Sequence, residues 1–328
     1  MKKLPFSYPP VVDTYSGVAG NVAIQMCDSS YTPLLIYNHF LITYDDVTGT
    51  GGFNWLYYND NYGHYFDLKP IIIVKGIINA IIDAINNKYY IHAYLDHFYI
   101  PQADSYLKQH VLHDCATIIG YDSENNIFFV ADNFKNGKYE VLNIGFEDIE
   151  KAIYNNKNKE IEYFFYDKNI EFNLSKTDIV KLLKSYYNKT CYLSEINKKN
   201  SVYKLVKQKY GLEIYDVLIQ QCYDMISYEY RIDDYRMFHL MCNHMNIGVL
   251  LVEYLKSEAF EENALCNKIS NKYIELYNQM IYIRNLFIKS SICKDAKKVL
   301  KVIELIKDIK EQERKFLLSI LQKLEVDK

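Results

Sequence analysis

The chain has no C-x-x-C pair among its seven cysteines, which are scattered at 27, 115, 191, 222, 242, 266 and 293. The odd number argues against a disulfide framework, the missing pair argues against a zinc ribbon, and a reducing cytoplasm fits both. There is no basic surplus either: 38 Lys and Arg face 41 Asp and Glu, so the electrostatic footprint of a nucleic-acid binder is lacking. No apolar run reaches the roughly 20 residues of a membrane helix. The longest, 70–74 with 77–85, are broken by Lys75, Gly76, Asn79 and Asp83. No apolar stretch follows Lys2 and Lys3, because Tyr8-Pro9-Pro10 arrives at once, so no secretion signal is expected. Gly49-Thr50-Gly51-Gly52 lacks the Lys-Ser/Thr of a phosphate loop. No repeat of fixed period is found. These absences lead us to expect a cytoplasmic protein with no nucleic-acid partner, no membrane partner and no cofactor.

What is present suffices for a core. Hydrophobic residues make up 49% and charged residues 24%, which excludes disorder, and 328 residues suit two domains. The surplus is tyrosine, 33 of them against one tryptophan. AT-rich codon drift explains such a bias. An aromatic binding surface is the functional alternative, with Tyr57, Tyr58, Tyr62, Tyr65, Tyr94 and Tyr99 as its candidates.

Up to about residue 170 short apolar runs alternate with turn clusters, an α+β pattern. Residues 34–44 predict a strand, with a buried helix end as the alternative, and 71–87 predict a mostly buried helix. Residues 116–131 predict a hairpin around Asp122-Ser123-Glu124-Asn125-Asn126. A strand at 139–143, a helix at 146–154 and a strand at 163–166 follow. From Ser175, where Ser-x-x-Asp signals a helix start, the period becomes 3.6. Helices are expected near 201–228, 233–257, 262–289 and 295–325, the last with a stripe of Val299, Ile303, Ile306, Ile309, Phe316, Ile320 and Leu324. A composition break at 169–173 marks the boundary.

Three residues stand out for chemistry. Cys27 ends an apolar segment, His113 precedes a predicted strand, and Asp132 follows that strand's hairpin partner. A thiol with a free pKa of about 8.5 needs an imidazolium or a helix N-terminus to become a thiolate. The imidazole in turn needs an acceptor to fix its tautomer, and a carboxylate on the adjacent strand can supply it. Cys115 is the rival nucleophile. Each residue alone also has a bland reading: a packed thiol, a structural histidine, a turn-starting aspartate. His92, His97, His110 and His113 lie close in sequence, but carboxylates and thiols do not fall at ligand spacing, so no metal is expected.

The stretch His110-Val-Leu-His113-Asp-Cys-Ala-Thr-Ile-Ile-Gly120-Tyr121-Asp122, followed by Asn126-Ile-Phe-Phe-Val-Ala-Asp132-Asn-Phe134, resembles the His…Gly-Tyr-Asp…Asp hairpin of papain-like peptidase domains. It is most similar to the bacteriocin-leader peptidase fold and the butirosin biosynthesis protein H N-terminal family, and among these to the amide synthases of thioamide-antibiotic assembly. Asp96-His-Phe-Tyr99-Ile-Pro101 looks like the same group. So, more loosely, does the helical element from Asp233 through Arg236 to His244. The resemblance implies a papain-like domain over 1–172, and the helical period from Ser175 implies an all-α domain over 173–328, expected to shape a substrate channel. It implies Cys27 as nucleophile, His113 as general base and acid, and Asp132 as the orienting carboxylate. Asn21, six residues before Cys27, or Gln25 would complete the oxyanion hole. Tyr58, Asp96, Tyr99 and Arg236 would contact substrate.

The implied reaction takes an acyl group from a carrier-protein phosphopantetheine thioester onto cysteine and passes it to an amine or short diamine. The chain lacks the Cys-Gly-Ser-Cys-Trp signature of plant-type papains and has Asp28 after Cys27, both of which weaken ordinary proteolysis. Hydrolysis as a cysteine peptidase or thioesterase, and a catalytically silent scaffold, are the alternatives.

Overall fold

The computed structural model describes residues 1–46, 49–53, 69–72, 76–154, 160–164, 172–190, 208–229, 235–258 and 263–326. It is a mixed helix-and-sheet protein of two compact units, Met1–Tyr31 with Leu56–Glu171 and Thr32–Trp55 with Phe172–Lys328. In chain order the elements run β1 (Lys2–Lys3), α1 (Ser16–Gln25), α2 (Thr32–His39), β2 (Ile42–Asp45), β3 (Thr50–Phe53), β4 (Lys69–Ile72), α3 (Ile77–Asn86), β5 (Tyr90–Asp96) and β6 (Leu112–Asp122). They continue with β7 (Ile127–Lys135), β8 (Lys138–Gly145), α4 (Phe146–Tyr154), β9 (Glu160–Phe164), α5 (Lys176–Asn188), β10 (Gln208–Tyr210), α6 (Ile214–Ser227), α7 (Arg236–Glu258), α8 (Asn263–Cys293) and α9 (Ala296–Val326).

The first unit is built on an antiparallel sheet in the order β4-β9-β5-β6-β7-β8, with β1 pairing to β6. The β6–β7 hairpin turns where Asp122 Oδ1 accepts from the Glu124 N–H at 3.1 Å. The β7–β8 turn uses Asn136 and Gly137, both at positive φ (51° and 66°) as a tight hairpin turn demands. Apolar residues of the central strands (Ile91, Ala93, Leu95, Ile118, Phe128, Val130) meet Ile81 and Ile85 of α3 and Ile149 and Ile153 of α4 in one core. Helix α1 packs closely on β6. A Cβ at Gly20 would stand 2.0 Å from Thr117 Oγ1, and one at Gly17 would stand 2.7 Å from Cys115 Cβ. Glycine at these two positions is what lets helix and strand approach. The helix expected over 71–87 is instead β4 and α3, separated by Gly76 at φ 74°, a left-handed position that suits glycine.

The second unit is not all-helical, contrary to expectation. Thr32–Trp55 belongs to it, and β10, β2 and β3 form a three-stranded antiparallel sheet there. The expected strand at 34–44 is mainly helix α2, with β2 beginning at Ile42. The reason is burial on every side: Leu34, Leu35, Ile36, Tyr37 and Phe40 are all buried, so the run has no polar face to reveal its period. The predicted start of α5 holds, with Ser175 accepting from the Asp178 N–H.

In α9 the apolar stripe carries one charge. Glu313 is fully buried. Its Oε2 accepts from Tyr215 at 2.8 Å and Tyr186 at 3.1 Å, and its Oε1 lies 3.0 Å from His244 Nε2. His244 Nδ1 donates to the Phe40 carbonyl at 2.7 Å, which leaves Nε2 to face Oε1. Tyr186 stacks on His244 at 4.5 Å. Burial, then the Glu313 charge, holds both tyrosines well above their usual pKa, so they remain donors. Removing one member of a buried ionic network costs roughly 3–5 kcal/mol. Glu313→Ala is expected to lose that much in chemical denaturation, whereas Glu304→Ala, at an exposed position of the same helix, is expected to change little. Equal losses would show that the network does not hold the helices.

Candidate active site

The β6–β7 hairpin brings together two of the three residues singled out for chemistry. His113 Nδ1 lies 2.7 Å from Asp132 Oδ1. The carboxylate has no exposed surface. Oδ1 also accepts from the Asn133 N–H at 2.7 Å, and Oδ2 lies 2.9 Å from His97 Nε2. His97 opens the 3-10 turn His97–Tyr99 that follows β5, and its ring stacks on His113 at 4.6 Å and on Phe134 at 5.4 Å. Burial alone would raise the Asp132 pKa. Hydrogen bonds from His113 and His97 oppose it and hold the carboxyl below its ordinary value. An ionised carboxylate only accepts, so both nitrogens facing it carry protons. His97 is then the Nε2–H tautomer and His113 the Nδ1–H tautomer, which leaves Nε2 as the basic nitrogen of neutral His113.

The N-terminus of α1 adjoins this pair. Ser16 Oγ lies 3.5 Å from His113 Nδ1, the same nitrogen that serves Asp132. The N-cap residue Tyr15 provides no side-chain cap. The first-turn N–H groups form the positive end of the helix dipole. Cys115 comes to this turn from the strand side: a Cβ on Gly17 would stand 3.3 Å from its sulfur. Between the pairs Ala93↔Ala116 and Leu95↔His113, β5 advances two residues while β6 advances three. The extra residue is a β-bulge, and Cys115 within it has φ 60°. Sequence reasoning weighed Cys115 only as a rival and missed Ser16. It met His97 as one of a histidine cluster and gave it no role. The signal for the last was available, since Asp132 has two oxygens and His113 serves one.

Cys27 is not part of this arrangement. It lies just beyond the C-terminal end of α1, eleven residues and about 16 Å along the helix axis from Ser16. Its thiol donates to the Ala23 carbonyl at 3.4 Å. Burial raises its pKa, with a hydrogen bond from the Ser7 backbone acting the other way. Both the helix end and the direction of the shift are wrong for a thiolate nucleophile. Asn21 and Gln25 lie about 8 and 14 Å along the axis from Ser16, and Gln25 is fully buried, so neither lies in the first turn beside His113.

Asp96 caps the turn after β5 by accepting from the Phe98 N–H at 3.0 Å, and it binds His110 Nδ1 at 2.7 Å. Tyr99 packs on Phe98 and against the core. These are local structural roles. Arg236 is the first residue of α7 in the second unit. Tyr58 lies outside the described residues, as do Tyr57, Tyr62 and Tyr65.

Among the described residues His97, His113 and Asp132 also form a group whose ligand atoms lie within 4.8 Å of one another. A metal bound by an imidazole sits near that ring's plane. The two rings are 13° from parallel and stacked, so their lone pairs do not converge on one point. The donors fit a shared carboxylate better than an ion.

Comparison of the sequence with models of known protein families and with curated proteins gives no match.

His92, a further member of the histidine cluster, sits buried on β5, and burial lowers its pKa to about 3. The unfolded chain protonates this residue near pH 6.5. A depressed folded pKa means stability is lost as pH falls through that window, by about 2 kcal/mol between pH 7 and 5. Asp132, also depressed, adds its loss only below about pH 4. Melting curves at pH 7 and 5 are expected to show the larger drop in wild type and a smaller one in His92→Leu. Identical drops would refute the assignment.

Proposed function

We propose that the first unit catalyses thiol-dependent acyl transfer, with His113 carrying the proton, Asp132 anchoring it, and Cys115 rather than Cys27 as nucleophile. The observation that carries this reading is the buried 2.7 Å pair of Asp132 and His113 beside the first turn of α1, against which the Cys115 sulfur packs. Ser16 is the weaker nucleophile. Its hydroxyl faces Nδ1, which as the proton donor to Asp132 is no base, and an alcohol is not nucleophilic without one. A thiol needs only a positive field to ionise, and a helix N-terminus with a nearby imidazole supplies it.

In the first half-reaction the Cys115 thiolate attacks the thioester carbonyl. As Cys115 ionises its proton passes to His113 Nε2; the C–S bond to the carrier breaks, and the departing thiolate takes that proton back from Nε2. The first-turn N–H groups are suited to hold the oxyanion. In the second half an amine attacks the acyl-enzyme, loses its proton to His113 Nε2, and expels the Cys115 thiolate. The net change converts a carrier thioester and an amine into an amide and a carrier thiol. The resemblance to amide synthases supports the carrier-protein thioester and the amine or diamine as substrates. Hydrolysis follows from the same acyl-enzyme where water replaces the amine.

A second reading, a catalytically silent scaffold, is favoured by one observation. All three donors to Asp132 come from the protein itself, a pattern that also serves to tie strands together. Acylation decides between them. The full chain incubated with an acyl-N-acetylcysteamine thioester is expected to gain one acyl group, mapped to Cys115 by peptide mass spectrometry. The adduct should persist in Cys27→Ala, vanish in Cys115→Ala, and form at least 100-fold more slowly in His113→Ala. An adduct on Ser16 or Cys27 would remove Cys115 from the role. Absence of any adduct on folded wild type would favour the scaffold.

A further inference from the structure

We propose that His97 is a positioning residue that sets how tightly His113 holds a proton, by sharing the single negative charge of Asp132. The proposal rests on the acyl-transfer reading only in calling His113 the proton carrier.

Asp132 offers two oxygens, and the protein uses both. Oδ1 faces His113 at 2.7 Å, and Oδ2 faces His97 at 2.9 Å. A carboxylate paired with one imidazole devotes its charge to that ring and stabilises the imidazolium strongly. A second N–H donor on the other oxygen disperses the charge and weakens that hold. The stack works in the same direction. The rings lie 4.6 Å apart, so two imidazolium ions there would repel across a short gap with one carboxylate to compensate both. His97 is almost wholly buried, whereas the His113 side chain is 28% exposed. The proton cycling with solvent or substrate therefore belongs to His113, while His97 donates to Oδ2 through Nε2–H.

The remaining groups around His113 do not offer a competing explanation. Ser16 of α1 is uncharged and lies at the Nδ1 side. Cys115, on the same strand, is unchanged in wild type and in every His97 variant, so its effect on the ring is common to them. Tyr139 of β8, which feels the Asp132 charge, has its pKa raised by burial first and by that charge second, so it stays neutral. Asp132 of β7 is the charged group paired with the ring at 2.7 Å, and His97 contacts its second oxygen.

The test is a titration of His113 in the full chain by NMR of the histidine ring C–H signals, assigned through a His113→Ala variant. His97→Phe keeps an aromatic ring for the stack and removes the donor. His97→Gln keeps an N–H donor and removes the ring. The midpoint of His113 is expected to rise by about one pH unit in His97→Phe and to remain with wild type in His97→Gln. If the acyl-transfer reading holds, the acidic limb of the rate profile should move with it, while KM for the thioester stays constant.

An unshifted His97→Phe would overturn the proposal. A His97→Gln that shifts as far as His97→Phe would also overturn it, because ring packing rather than the hydrogen bond would then be responsible. Should one variant fail to fold, the other still decides: a displaced midpoint in His97→Gln, or an undisplaced one in His97→Phe, counts against it. The titration needs no substrate, so a failure of the acyl-transfer reading leaves this result interpretable, and a null titration leaves the acylation result standing.

Discussion

A carboxylate with no exposed surface must find donors, and Asp132 draws them from three neighbouring parts of one sheet. One is the turn after β5, one is an edge of the bulge in β6, and one is the backbone of its own strand. This requirement determines much of the site. Because the carboxylate is held ionised, both histidines must present N–H, which settles two tautomers at once. Because His113 spends Nδ1 on Asp132, its basicity is left at Nε2, and a nucleophile on the Nδ1 side cannot use it. The same constraint explains why Ser16, the side chain nearest to His113 from α1, is a poor candidate for activation despite its position.

The second unit solves the same problem differently, and the contrast separates structure from chemistry. Glu313 is also a fully buried carboxylate with a histidine partner, but two tyrosines complete its shell and His244 has no exposed surface. Nothing there is open to exchange a proton with a substrate. In the first unit the partner of Asp132 is partly exposed and adjoins a helix N-terminus. Burial of the acid is common to both, whereas access to the base distinguishes a site from a strut. The tyrosine surplus also acquires local meaning here. Tyr186 and Tyr215 are neither ornament nor substrate slot but the donors that make a buried charge tolerable.

The part of the fold that is legible in the sequence is the part with contrast. The β6–β7 hairpin shows itself through a strong β run and an Asp-Ser-Glu-Asn-Asn turn, and His113 and Asp132 are paired as soon as that hairpin is drawn. Helix α5 is announced by Ser175 and Asp178. Two features are hidden for opposite reasons. Helix α2 is buried on nearly every side, polar Asn38 and His39 included, so it shows no polar face and reads as a strand. Helix α1 begins without a capping side chain at Tyr15, so its start is invisible, and Cys27, read from the sequence as the end of an apolar segment, lies just beyond the helix's C-terminal end. Glu313 is a third kind of case. The stripe of α9 lacks an apolar residue between Ile309 and Phe316, and the gap is the position where a charge is buried, a signal that only structure explains.

Cys115 shows how the two kinds of information combine. Left-handed backbone costs a residue with a Cβ of the order of 1–2 kcal/mol, and glycine adopts it freely. At φ 60° in the middle of a sheet, glycine or asparagine would be the stabilising choice. The chain instead carries a thiol there, partly exposed, two residues after His113 on the bulge, and it packs against a glycine whose missing side chain leaves it room. Strain of this sort persists where surrounding structure overdetermines it, and it concentrates at working sites. The direction of inference runs from the observed outlier to a role for the side chain. It agrees with the proposed acyl transfer, in which the nucleophile ionises in the field of α1 and does not depend on Nδ1 as its base.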